Sequence, residues 1–188
     1  MAGRERVRTV VNEPKQPIVE AAALVPVYRG DDGEIRLVLI RRGEGGVHGG
    51  QLAFPGGKHD PDDRSMLDTA LREAWEEIGI SRDTTEVLAH LPAMETIRTG
   101  FRIFPFLARI SPPRQWRRDE REIAEIIEIR LSDLALPEAH GEEVKQLPSW
   151  SEPLRIPFYR VGPYQLWGAT YRILHPLIPR LLAGEWKL

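Results

Sequence analysis

The segment from Ser65 to Gly79 constrains this chain more than any other, because it reads as one helix with both ends marked. Ser65 is a good N-cap residue, Asp68 three positions later supports the start, and Gly79 stands where a left-handed C-terminal residue belongs. The spacing therefore predicts a helix from about Met66 to Ile78. At about 3.6 residues per turn, Leu67, Ala70, Leu71, Ala74 and Ile78 gather on one face and Glu73, Glu76 and Glu77 on the opposite one, which makes an amphipathic helix with an acidic outer stripe. Carboxylates at i, i+3 and i+4 repel by about 0.2 to 0.5 kcal/mol per pair on an exposed helix. A hard divalent cation, Mg2+ or Mn2+, rewards that crowding, since it prefers carboxylate and carbonyl oxygens and keeps positions open for water and phosphate. A solvated acidic face is the competing reading of such a stripe.

Strand patterns surround this helix. Ile18 to Tyr28 is an apolar, β-favouring run, Gly30-Asp31-Asp32-Gly33 reads as a hairpin turn, and Arg36 to Arg41 follows as an antiparallel partner. Residues 43–50 are too rich in glycine for a regular element and form a flexible loop leading into Leu52-Ala53-Phe54-Pro55-Gly56-Gly57. Further strands are expected at Glu86 to Leu91, Ile103 to Ile110, Ile123 to Leu131 and Ile156 to Val161. Pro112 to Glu122 reads as a loop, and a Pro- and Glu-rich connection runs through Pro153. Leu166 to Leu182 has helical spacing, which Pro176 and Pro179 should kink or end.

With 188 residues, 17–188 fits one domain, preceded by a polar, mobile arm over 1–16. A composition of 41% hydrophobic and 29% charged residues is that of a soluble globular chain. No apolar run approaches the roughly 18 residues of a membrane-spanning helix. The 26 basic and 28 acidic side chains leave no global field to recruit a nucleic acid polymer. With no cysteine, any metal must sit on oxygen or imidazole. The Arg-rich start does not read as a secretory signal, so a cytoplasmic enzyme is the expectation.

The order Gly57, then Asp62 or Asp63, then Arg72-Glu73-Ala74-Trp75-Glu76-Glu77-Ile78-Gly79-Ile80, directly after Phe54-Pro55-Gly56-Gly57, resembles the box of the Nudix hydrolase family. Two departures stand in its first half: an aspartate replaces the family's glutamate, and the spacing from Gly57 to Arg72 is one residue longer, an insertion that a loop over Lys58 to Arg64 tolerates. The resemblance implies an α/β/α sandwich with a central mixed β-sheet, the box helix on one face and the C-terminal helix on the other. It implies hydrolysis of a diphosphate linkage in a small nucleotide-derived substrate. Glu73, Glu76, Glu77 and the Gly57 carbonyl would hold Mg2+ or Mn2+, and Arg72 would anchor the loop on Asp62 or Asp63. The general base is a box glutamate or a loop acid among Glu95, Asp119, Glu120 and Glu122, with Glu122 first because it stands at the entrance to a strand.

His48-Gly49-Gly50-Gln51-Leu52-Ala53-Phe54-Pro55-Gly56-Gly57-Lys58-His59 resembles the coenzyme A pyrophosphatase branch of that family. So do Pro157-Phe158-Tyr159-Arg160 and Leu166-Trp167-Gly168-Ala169-Thr170 with Arg172-Ile173-Leu174. The branch opens with a Leu-Leu-Thr-x-Arg-Ser signature and another arginine. Here Leu37-Val38-Leu39-Ile40-Arg41-Arg42 keeps part of it, and Gly46 stands where that arginine would fall. Arg42, Lys58 or Arg102 would then hold the terminal phosphate. His48 and His59 flank the site, while Tyr159 and Trp167 read foremost as core packing. Other Nudix substrates (ADP-ribose, dinucleoside polyphosphates, nucleoside triphosphates) and a non-catalytic nucleotide-binding protein are the rival readings; retention of all three box glutamates favours catalysis. Dimerisation is common among such relatives, with 147–164 a candidate contributor to a homodimer.

Overall fold

The computed structural model describes residues 18–45, 48–96, 100–146 and 152–188. The arm expected at 1–16 lies outside them, as does part of segment 147–164. Strands β1 (Val19–Arg29) and β2 (Ile35–Arg42) form the expected antiparallel hairpin, with Val27 opposite Leu37. Gly33 takes φ 80° in its turn, a backbone conformation open to glycine at little cost. Along its other edge, β1 runs parallel to β7 (Phe101–Ile110) from Val19–Phe101 to Val27–Arg109. A parallel pair needs a long crossover, and helix α1 (Met66–Ile78) lies within it. Strands β5 (Thr85–His90) and β6 (Met94–Glu95) pair with β7, and β8 (Ile123–Arg130) pairs with β2.

Both faces of this mixed sheet are covered, which is why β1 reads as an unbroken apolar run. Ala22, Leu24, Val38 and Ile40 face Ala70, Leu71, Ala74 and Ile78 of α1. Their alternate neighbours Ala23, Val25, Leu37 and Leu39 face α2 (Leu131–Leu134), α3 (Gly168–Leu174) and α4 (Leu177–Leu182). The expected α/β/α arrangement follows directly from this period-two division of side chains.

A second, three-stranded antiparallel sheet of β9 (His140–Lys145), β10 (Leu154–Val161) and β11 (Tyr164–Trp167) adds Tyr159, Val161 and Leu166 to the second core. The last helix therefore starts at Gly168 and not at Leu166, because Tyr164–Trp167 pairs with β10. Pro176 divides the helical stretch in two. Pro179 sits in the first turn of α4, where a backbone N–H has no intrahelical partner to lose. Among the described residues, no helix is long and apolar enough to cross a membrane.

Candidate active site

Helix α1 has the bounds its caps imply: Ser65 Oγ accepts from the Asp68 amide at 3.1 Å, and Gly79 closes the helix at φ 75°. Beside it lie two short strands, β3 (Leu52–Ala53) on β2 and β4 (Gly56–Lys58) on β1, which hold the Phe54-Pro55-Gly56-Gly57 segment against the sheet. The Gly56 amide donates to Glu77 Oε2 at 2.9 Å. The Glu73 carboxyl stands so close to Gly57 that a Cβ there would lie 2.5 Å from its Cδ. The two glycines thus form a backbone cradle for two carboxylates.

The acidic stripe is not wholly outward, which corrects the reading from helical spacing. Glu77 is only 3% exposed. It follows Ala70 by seven residues, just under two turns, and so flanks the apolar face instead of opposing it. Glu73 is half-buried, and Glu76 keeps 53% of its side chain exposed. Burial pushes the Glu77 carboxyl up to about 8, reinforced by the charges of Glu73 and Glu122 and opposed by the Gly56 amide and Arg42. Burial also raises Glu73, against the pull of Arg72. Glu77 Oε1 is buried without a hydrogen-bond partner, an arrangement that costs on the order of 1 to 3 kcal/mol unless a ligand satisfies it.

Asp63, not Asp62, pairs with Arg72: both its oxygens take guanidinium N–H groups at 3.0 Å. Thr69 Oγ1 donates to Asp63 Oδ2 at 2.8 Å, and the His59 Nδ1 atom lies 2.9 Å from that hydroxyl, so its N–H completes the chain. The Arg72 guanidinium holds the Asp63 carboxyl well below the usual carboxylate range. Asp63→Asn should therefore lower stability at neutral pH by about 2 kcal/mol, and Asp62→Asn should change nothing. Because the folded-state pKa is depressed, the Asp63 contribution is full above the unfolded value near about 3.9 and is lost as pH falls below it. Thermal melts of both variants between neutral and acid pH check this.

Arg72 Nη1 also donates to Glu73 at 2.8 Å and to Glu76 at 3.0 Å. That one cation compensates both carboxylates, and among the described residues no three His, Asp or Glu side chains converge as a ready metal cage. Glu122 is brought to the site: the Asp119 amide donates to the Glu77 carbonyl at 2.9 Å, the Gly43 amide to the Glu122 carbonyl at 2.7 Å, and the Glu122 charge acts on Glu73 and Glu77. The other loop acids have partners of their own, Glu95 with Arg102 at 2.7 Å, Glu120 with Arg118 at 3.2 Å, and Asp119 with the Arg121 amide at 2.9 Å.

Arg42 ends β2 on the α1 face of the sheet, half-buried, with its charge felt by Glu77. Lys58 adjoins Gly57 and is exposed, its Nζ 5.9 Å from the Phe101 ring centroid. Arg102 is taken up by Glu95, and His48 is exposed, 3.3 Å from Gln51 Oε1. Tyr159 is core, as expected, with its hydroxyl 2.6 Å from His175 Nδ1. The residues that sequence reasoning passed over are Thr69, Trp75 and Arg117. Thr69 carried a signal, a small polar side chain one turn before Glu73 on the same row.

The sequence model of the NUDIX domain matches residues 19–150. An uncharacterized Nudix hydrolase, NudL, of Salmonella paratyphi B is 34% identical over 163 residues, covering 84% of this chain and 80% of that protein. Among solved structures, a MutT/nudix family protein from Enterococcus faecalis aligns with a TM-score of 0.57 at 18% identity over 90% of this chain and 63% of its own. A C. elegans Ap4A hydrolase in a binary complex aligns at 0.52 and 23% identity over 62% of this chain and 82% of its own. Both structural likenesses concern the fold.

Proposed function

The chain belongs to the Nudix family, as a pyrophosphohydrolase of nucleotide derivatives, and from that premise we propose that its substrate is coenzyme A or an acyl-coenzyme A, split into 3',5'-ADP and 4'-phosphopantetheine. The observation that carries this reading is a contact. The two stretches that resemble the coenzyme A pyrophosphatase branch meet where Thr170 Oγ1 donates to the Leu52 carbonyl at 3.1 Å, across 118 positions. The C-terminal segment is thereby joined to the strand that leads into the glycine cradle.

Glu73, Glu76, Glu77 and the Gly57 carbonyl would hold Mg2+ or Mn2+. The fit lies in an all-oxygen donor set, an unpartnered buried Glu77 Oε1 and a desolvated Glu73. Such a cation, when bound, neutralises the diphosphate and lowers the pKa of a water. The chain's own groups do the rest. Arg42 and Lys58 offer positive charge to the substrate phosphates. Glu122 takes a proton from the attacking water as its oxygen bonds to phosphorus, and the anhydride P–O bond breaks with its electrons leaving on the departing phosphate. Arg72, held by Asp63, fixes Glu73 and Glu76 in place, and the Gly56 amide holds Glu77.

Incubation with Mg2+ or Mn2+ and a panel of coenzyme A, ADP-ribose, NADH, diadenosine polyphosphates and nucleoside triphosphates, with product masses read out, tests the substrate. Release of 4'-phosphopantetheine and 3',5'-ADP from coenzyme A is the expected result. Faster cleavage of another member overturns the coenzyme A reading and leaves the box chemistry standing.

A further inference from the structure

The segment between Ile110 and Ile123 has no regular structure and carries Arg114, Arg117, Arg118, Asp119, Glu120, Arg121 and Glu122. A polar loop of this composition has much conformational freedom to lose, so what ties it down decides where its last acid stands. Trp116 Nε1 is anchored on Glu128, which also takes the Tyr28 hydroxyl at 2.7 Å. That fixes the loop to β8. The tie to the catalytic helix is made separately, by Arg117 and by the Asp119 amide.

Trp75 is the exposed aromatic of α1, 48% open to solvent. The Arg117 guanidinium lies over its ring, 4.4 Å from the centroid, and Arg117 Nη2 donates to the Trp75 carbonyl at 3.1 Å. Both that carbonyl, which also accepts from the Gly79 amide at 3.0 Å, and the Glu77 carbonyl belong to the last turn of α1, and the Glu77 one is left over by the helix. The Glu77 carbonyl is taken by the Asp119 amide, two residues beyond Arg117. Gly79 makes room, since a Cβ there would sit 3.1 Å from Arg117 Cβ. Three residues after Asp119 comes Glu122, whose carbonyl is held by Gly43.

We infer that Trp75 and Arg117 are positioning residues: their clasp fixes the 112–122 loop on the end of α1 and so sets where the Glu122 carboxylate stands relative to Glu73 and Glu77. This rests on the reading of Glu122 as the base. Loop and helix meet at the turn that bears Glu76 and Glu77, so a loop that slides on α1 carries Glu122 away from the reacting water. A displacement of this kind lowers turnover more than binding.

The test is a double-mutant cycle on the full chain with saturating Mn2+, using coenzyme A or the panel member cleaved fastest. Arg117→Ala is expected to lower kcat roughly 10- to 100-fold, with KM and melting temperature nearly unchanged. Trp75→Leu, which removes the ring from the helix side at an exposed position, should do the same, and Arg117→Lys should recover part of the loss. In a Glu122→Gln background, Arg117→Ala should cost less than about twofold more, since it acts through a group already removed. Full kcat in Arg117→Ala beside an impaired Glu122→Gln overturns the clasp alone, as do losses that multiply in the double variant. Full activity in Glu122→Gln removes the base reading itself.

Discussion

Glu77→Gln is expected to lose hydrolysis by roughly 10³-fold, the scale seen when one preorganised charge-stabilising group is removed, while the metal-free protein becomes more stable. The two effects share a cause. Glu77 is buried with one oxygen on the Gly56 amide and the other without a partner, and burial pushes its carboxyl up to about 8. A carboxyl whose folded-state pKa is raised binds its proton more tightly in the native than in the unfolded chain. Stability therefore falls as pH rises from the unfolded value toward the folded one. Below about pH 4.3 the wild type and the variant should melt together. Between there and pH 8 the gap should grow in favour of the variant, to on the order of 2 to 4 kcal/mol. Glutamine keeps an acceptor for the Gly56 amide and carries no charge. Calorimetric melts across this range, without divalent cations, check the sign and the window.

Gly56→Ala should be the most damaging single methyl addition at the site. The added Cβ would lie 2.2 Å from the Ala22 carbonyl oxygen and 2.7 Å from Ala23 Cα, both backbone atoms of β1. Strand β1 is locked between β4, β2 and β7 and cannot yield, so a loss of about 3 kcal/mol or more is expected, seen as a fall in melting temperature of roughly 6 to 12 °C. Gly57→Ala behaves differently. Its Cβ would meet the end of the Glu73 side chain, which can turn aside. That variant should fold with near-normal stability and lose activity, because Glu73 is displaced. Parallel melts and rate assays of the two alanines separate the structural glycine from the functional one.

Local signals made α1 legible. Ser65, Asp68 and Gly79 fix its ends by chemistry that acts within a few residues, and the hairpin at Gly33 and the break at Pro176 are local in the same sense. What the sequence hid is mostly non-local. Strand β9, His140–Lys145, is charged and mostly exposed, and becomes a strand only because β10 supplies its hydrogen bonds. Gly56 to Lys58 carries no strand signal and is extended because β1 holds it. Glu77 was legible as a site residue but not as a buried one: a glutamate is rarely placed inside, and its seat depends on a glycine pair far along the chain. The choice between Asp62 and Asp63 is settled by which one reaches Arg72, a matter of loop shape that spacing does not carry. Trp75 and Arg117 meet across 42 positions; Trp75 stands between the glutamates of the box and Arg117 lies outside it.

If the box glutamates form the proposed divalent-cation site, Glu77 is essential to it. Isothermal titration of Mn2+ into the wild type and Glu77→Gln at pH 7, in two buffers of different ionisation enthalpy, tests it most directly. Saturable binding to the wild type with release of a proton, absent from Glu77→Gln, is the predicted result. Binding of equal strength to both proteins, or none to either, would contradict it.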